Sequence, residues 1–273
     1  MLAAADTVPI QFETMPGKSS PFLPLPRAAI GFRPEFLDFS RGIRVGNLDD
    51  NERITRLLKL GLEHLFQQPF VTERWGRGVF WQWIGYLPRA NRAAKPLSSH
   101  VSFGCAKYFV AVHEDEQACQ CGLQVERGYL QAAREYPACT LGPDWDWHRM
   151  VRGLRSGGPL AAEFKRLVMR EGFRIFAGSW ESGAVRFSRS RPPDFAGLRK
   201  ALRQAPGDHW AGLQVYYPLR KAEIQRCSGV DLIEAMLAIF REVTPAMNLC
   251  MQVQLATPPM VTPATENVGQ PSD

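Results

Sequence analysis

Hydrophobic and polar positions alternate most densely between Trp75 and Gly128, and the rest of the chain is arranged around that stretch. Phe80, Trp81, Trp83, Ile84 and Tyr86 are residue types that favour a pleated, half-buried surface, which predicts a strand. Val101 to Val112 and Cys119 to Glu126 predict two more, joined by the acidic turn His113-Glu114-Asp115-Glu116-Gln117. In the last of these, Cys119, Cys121, Leu123 and Val125 alternate with Gln120, Gln124 and Glu126, the pattern of a sheet with one wet face. Further on, Phe173 to Trp180 and Ala184 to Ser188 predict a hairpin around Glu181-Ser182-Gly183, and Trp210 to Tyr217 another strand. The tetrapeptide Gly-Leu-Gln-Val occurs at 122–125 and again at 212–215, a match too short to argue a duplication.

Elsewhere the period becomes helical. Ile54, Leu57, Leu58, Gly61, Leu62 and Leu65 share one face, Asp49 and Glu52 are spaced as a capping box before them, and Pro69 follows. Shorter helices are predicted for Gly31–Phe39, with Pro34 in its first turn, and for Tyr129–Tyr136, Asp144–Leu154, Pro159–Gly172 and Phe195–Gln204. A last helix starts near Ser228, buries Leu232, Ile233, Met236, Leu237 and Phe240, and should stop or kink at Thr244-Pro245. Helices gather at both ends and strands in the middle, without β-α alternation. This predicts an α+β fold with a mainly antiparallel central sheet and helices packed at its ends and on one face. Residues 1–30, with Pro9, Pro16, Pro21, Pro24 and Pro26, read as a disordered leader, 31–255 as a single α+β domain, and 256–273 as a disordered tail.

Composition narrows the class. Of 273 residues, 45% are hydrophobic and 22% charged, which argues against global disorder. No apolar run approaches the roughly 20 residues of a membrane-spanning helix, and the N-terminus lacks the basic and apolar regions of a signal peptide. The six cysteines are dispersed, which predicts reduced thiols and a cytoplasmic protein without a membrane partner. The net charge of +6 and pI near 9.1 come mainly from arginine, the side chain best suited to bidentate contact with phosphate or carboxylate. That balance favours a nucleic acid or another polyanion as partner.

Three stretches resemble known bacterial domains. Gly31 to Phe39 (GFRPEFLDF), followed by a polar stretch and a helix, resembles the start of the DUF2461 family. An aromatic strand with a basic tail, then Ser98 to Gly104 (SSHVSFG) and a paired strand, is similar to the YktB-like DUF1054 domain. The order of strands before helices, ending on Asp231 to Phe240, resembles the DNA-reading N-terminal domain of McrB-type restriction subunits. These likenesses cover the middle two thirds, imply an α+β fold and carry no catalytic motif. The McrB likeness implies an accessory role in a bacterial defence or regulatory system.

Candidate chemistry is sparse. His113, Cys119, Cys121 and Cys139 are soft ligands within one region, but Cys119-Gln120-Cys121 lacks the usual zinc spacing and no second pair follows. No metal site and no cofactor are expected. Gly178-Ser179-Trp180-Glu181-Ser182-Gly183 lacks the flanking glycines of a serine elbow. Ser99-His100 and Asp208-His209 reach acid–base chemistry only if folding brings a third group to them. Asp144 and Asp146, beside Trp145 and Trp147, could hold magnesium, but at a helix start they fit the macrodipole better. No Walker loop, dinucleotide-binding glycine motif or HExxH is present.

The basic and aromatic residues carry the strongest signal. Arg74, Arg77, Arg89, Arg92 and Lys95 flank Trp75, Trp81, Trp83 and Tyr86 on the leading strand and its exit loop. The aromatic rings are expected in the core, and Arg89, Arg92 and Lys95 in a Pro-bounded polar loop that meets phosphate. The expected function is therefore non-enzymatic binding of nucleic acid or another polyanion through that Arg-rich loop. Two alternatives stand beside it. One is a hydrolase or transferase whose groups, such as His100, Asp144 and His148, converge only in the fold. The other is a protein-interaction module using the two termini.

Overall fold

Nine strands, every pairing antiparallel, make one sheet in the computed structural model, which describes residues 20–96 and 102–256. In chain order they are β1 (Leu37–Asp38), β2 (Gly42–Arg44), β3 (Phe70–Arg77), β4 (Phe80–Pro88), β5 (Ala106–His113), β6 (Ala118–Gly128), β7 (Arg174–Ser179), β8 (Gly183–Phe187) and β9 (Ala211–Arg220). Their order across the sheet is β1-β2-β4-β5-β6-β9-β7-β8, with β3 on the other edge of β4. The helices are α1 (Ile54–Phe66), α2 (Arg89–Ala93), α3 (Asp146–Gly153), α4 (Pro159–Met169), α5 (Phe195–Gln204), α6 (Lys221–Ile224) and α7 (Gly229–Cys250). The α+β architecture is as the hydrophobic pattern requires. The two Gly-Leu-Gln-Val copies are direct neighbours, Leu123 opposite Val215 and Val125 opposite Leu213, at the centre of the sheet.

The core lies on one face. Tyr86, Tyr108, Val110, Cys119, Cys121, Leu123, Leu213 and Val215 point into it, and α7 lays Met236, Phe240 and Met247 over them. Around α7 stand α1, α3 and α4, while α5 adds Leu198 and Leu202 beneath β7. The opposite face carries no helix among the described residues. It is nonetheless sheltered: Gln120 is 5% exposed, Gln124 1% and Lys107 fully buried. The alternation along β6 was correct, but its polar side chains are not simply wet.

Several local expectations shift. The strand predicted through Phe80 to Tyr86 is β4, and β3, which the pattern does not predict, pairs with it in a hairpin that turns at Gly78 with φ +61°. Asp49 and Glu52 do form a reciprocal turn (Asp49 N–H to Glu52 Oε2, 3.2 Å), but the helix begins after it, at Ile54. Tyr129–Tyr136 is not a helix, because Leu130 and Gln131 donate their N–H groups to the Gly207 carbonyl and Tyr129 stacks on Tyr136 instead. Pro245 neither ends nor breaks α7 as a segment. It sits on the exposed side, as does Arg241, while Val243, Ala246, Met247 and Cys250 keep the next turn packed. The leader is fastened from Ser20 onward: Leu23 is buried and Arg27 pairs with Asp231 and Glu234 on α7. Residues 1–19 and 257–273 lie outside the described residues, as do Ser99 and His100.

The largest correction concerns the exit loop of β4. It is helix α2, and Lys95 beyond it is buried rather than presented to a ligand. Its ammonium pairs with Asp146 Oδ1 at 3.0 Å and donates to Asn91 Oδ1 at 2.6 Å. Asp146 also accepts from Asn91 Nδ2, from the Ala106 N–H (both 2.7 Å) and from the Gln252 N–H at 2.8 Å. One fully buried carboxylate thus ties α2, the start of β5, α3 and the chain beyond α7. Asp146 stands in the first turn of α3, as expected, but both of its oxygens are engaged by these distant groups. Removing one member of a buried pair leaves a charge without compensation, which costs about 3–5 kcal/mol. We therefore expect Asp146→Ala to lower unfolding stability by about that amount, read as a shift in urea midpoint at unchanged slope. A shift no larger than that of a surface alanine would count against this role.

Candidate functional site

A cavity of about 300 Å³ opens on the helix-free face, walled by Trp75, Trp83, Tyr136, Trp180 and Trp210, with Glu73, Lys107, Gln124 and Glu126 at its base. Strand alternation puts these groups together. Trp75 lies opposite Trp83, and Glu73 opposite Gly85, across the β3–β4 ladder. Lys107 on β5 is opposite Gln124 on β6, which is opposite Gln214 on β9. Two glycines make room for the rings. A Cβ on Gly85 would meet the Trp83 ring at 2.3 Å, and one on Gly212 would meet the Trp180 ring at 2.6 Å, so each indole lies flat against bare backbone.

Lys107 is the electrostatic centre. Its Nζ is 3.0 Å from Glu126 Oε2 and 3.1 Å from Glu73 Oε2. Burial alone would lower the pKa of this ammonium, but the charges of Glu73 and Glu126 outweigh it and hold the pKa above the usual lysine value. Burial likewise pushes Glu73 up, and Lys107 together with the hydrogen bonds from Ser102 pulls it below the ordinary carboxylate value. The remaining polar atoms fix the rings. Trp210 Nε1 donates to Glu126 Oε1 at 3.0 Å, and Trp83 Nε1 donates to Gln124 Oε1 at 3.0 Å, an oxygen that also accepts from Gln214. The Trp180 Nε1 is buried without a partner among the described residues.

Trp210 is the hub of the aromatic wall. It stacks on Trp180 (6.1 Å, 12°) and meets Trp75, Phe103, Tyr129 and Tyr136 edge-on. The buried Arg127 positions it: its guanidinium donates to the carbonyls of Ala205 and His209, both at 2.8 Å, and so holds the loop just before Trp210. Trp75 stands at the lip, 53% exposed. The expectation of core tryptophans thus holds for neither Trp75 nor Trp83, because the pleat sends them away from Ile84 and Tyr86.

The predicted basic residues do not converge on one patch. Arg74 is exposed and borders the cavity on β3, but it pairs opposite Ile84 and its guanidinium lies 4.3 Å from the Trp81 ring centre, on the other face from Trp75 and Trp83. Arg92 lies 3.9 Å from Glu73. Arg77 and Arg89 are exposed near opposite ends of β3, an edge strand. Lys95 is withdrawn into the Asp146 cluster.

Other candidates separate as well. His113 falls on the helix-free face, whereas Cys119 and Cys121 lie in the core, where burial pushes the Cys119 thiol up to about 12. Asp144 is exposed and turned toward Arg152, while burial and Arg152 lower the His148 pKa. One pairing does form. Ser182 Oγ is 2.8 Å and Ser179 Oγ 3.0 Å from His209 Nδ1, beside the cavity wall. Sequence could name the hairpin turn and the Asp208-His209 pair but not their meeting, which depends on β7 lying against β9.

No family model, curated protein or solved structure matches this chain.

The sign of the pH dependence at Lys107 follows from the two shifts. A raised ammonium pKa contributes stability that is complete below the ordinary lysine value and is lost as pH rises through the raised one. The depressed Glu73 contributes above the ordinary carboxylate value and loses its share as pH falls through the lowered one. Between them the contribution is level through neutrality. Lys107→Met should therefore cost about 3–5 kcal/mol at pH 7, and the penalty should shrink toward pH 4 as the stranded carboxylates take up protons. Urea unfolding at the two pH values measures this, and a pH-independent penalty would contradict it.

Proposed function

We propose that this protein binds nucleic acid on the helix-free face of its sheet, with an unstacked base in the aromatic cavity and phosphates along the arginines beside it. The observation that carries the reading is the wall of indole rings, with Trp75 exposed at its lip. Aromatic faces take any base by stacking, and neighbouring guanidiniums supply backbone affinity. Arg77, Arg89 and Arg92, spread along this edge, are the phosphate contacts proposed; Arg74, which pairs opposite Ile84 and lies over the Trp81 ring, and Lys95, withdrawn to Asp146, are not among them.

The charge at the cavity base favours a neutral ring over a cationic guest. An aromatic cage takes an ammonium against the negative faces of its rings. Here Lys107 already lies between both carboxylates, with its Nζ 5.5 Å from the Trp83 ring centre, and occupies that role from inside. The volume is at the small end for ligand cavities, suited to one base rather than a large cofactor.

A second reading, hydrolysis by Ser182 with His209 as base, is favoured by their hydrogen bond. It ranks lower because the Ser179 hydroxyl in the same cluster accepts the N–H groups of Glu181 and Ser182, the ordinary work of a turn. Hydrolysis of an activated ester that vanishes in Ser182→Ala would promote it.

For the binding reading, single-stranded oligonucleotides should bind with an affinity that falls steeply with salt. Trp75→Ala should weaken that binding by about 1–3 kcal/mol, the worth of one stacked base, with the melting temperature unchanged. Fluorescence anisotropy across a salt series decides it. No binding at low salt, or equal affinity for the variant, would remove the proposal.

A further inference from the structure

A second cavity of about 290 Å³ lies on the same face of the sheet, at the far end of β7 and β9. Arg174, Arg186, Arg189 and Arg191 line it, with Glu116 the one carboxylate among the described lining residues. That carboxylate is already engaged. Oε1 accepts from Arg186 at 2.9 Å and from the Tyr216 hydroxyl at 3.3 Å, while Oε2 accepts from Gln120 at 3.3 Å and lies 3.6 Å from Arg174. Arg189 is held in place by the Met169 and Arg170 carbonyls at the end of α4 (3.1 and 2.7 Å). Arg191 is exposed on the tight turn it closes with Ser188. Positive charge at this density repels itself, and a phosphate with several acceptor oxygens is the group that relieves it best.

The two cavities are joined. From Gly212, beneath Trp180, to Pro218, in the wall of the arginine cavity, β9 runs six residues, roughly 20 Å at about 3.3 Å per residue. Arg174 and Phe176 on β7, and Trp180 just beyond its end, face this way. Trp180 stacks on Phe176 (6.3 Å, 28°), and the Arg186 guanidinium sits 4.5 Å from the Phe176 ring centre. An aromatic track therefore leads from the indole wall to the arginines without leaving the face.

We infer that the arginine cavity binds a backbone phosphate of the same single strand whose base occupies the indole cavity, the strand crossing Phe176 between them. This inference rests on the binding reading above and extends it. A strand long enough to reach both, roughly four nucleotides or more, should bind more tightly than one that reaches only the indoles.

The test uses labelled oligothymidylates of two, four and twelve nucleotides, titrated by anisotropy against the full chain. The variants are Arg186→Gln with Arg191→Gln, Arg191→Gln alone, and Trp75→Ala. Both arginines are exposed, and Arg191→Gln leaves the Glu116 contacts untouched should the double variant lose stability. The double variant should bind the dinucleotide as the native protein does. It should bind the twelve-mer at least about tenfold more weakly, with the salt slope reduced by about 0.7 for the one lost phosphate contact. Inorganic phosphate should compete with the twelve-mer and not with the dinucleotide. If the arginine variants match the native protein on the long strand while Trp75→Ala weakens it, the arginine cavity is off the path and only this inference falls. It falls in the same way if they weaken dinucleotide and twelve-mer alike. If the native protein binds none of the oligonucleotides, the underlying reading falls, and the inference with it.

Discussion

The helix-free face depends on one buried ammonium. Lys107 on β5 stands between Glu73 on β3 and Glu126 on β6, so a single side chain fastens three strands on the side that carries no helix among the described residues. An unpaired charge at that depth would be prohibitive, and so would either carboxylate alone. The triad is tolerated because each partner is satisfied further: Glu126 by the Trp210 indole, Glu73 by the Ser102 N–H. Stabilising the charges and orienting the ring wall are therefore the same act. A sheet sheltered on one side by α7 and on the other by its own side chains needs no second helical layer.

That arrangement explains why the cavity is aromatic and yet has a polar base. Indoles present large apolar faces while their N–H groups reach down to Glu126 and Gln124. Gly85 and Gly212 bring the rings against the backbone, and Arg127 clamps the loop that delivers Trp210. At the other end of the same strands the balance reverses, and Arg174, Arg186, Arg189 and Arg191 outnumber the one carboxylate, Glu116, among the described lining residues. A neutral, stacking region and a positive region on one continuous face suit a ligand that alternates rings with phosphates.

Much of the fold could be read along the chain because it is local. The stripe on α1 and the bounds of α5, Phe195–Gln204, follow from helical period and capping. The alternation of β6 correctly separated Cys119, Cys121, Leu123 and Val125 from Gln120, Gln124 and Glu126. Errors arose where a distant contact overrode a local preference. Tyr129–Tyr136 gave up a helix for hydrogen bonds to Gly207, and Pro245 was absorbed because α7 is packed on both sides of it. Lys95 looked like a solvated loop residue until Asp146, some fifty positions on, took it inside.

Pattern and composition were enough to establish an antiparallel sheet, the helices that cover it and a basic, aromatic-rich chain. Which rings share a cavity, and which arginines share a charge, was decided only when β6 paired with β9 and β3 with β4. Alternation tells that a side chain leaves the strand on a given side; it cannot tell what stands there. Arg174, Arg186 and Glu116 are separated by up to seventy residues, and no spacing rule connects them. Convergence over such separations is a property of strand order, and strand order is set by the packing of the whole core.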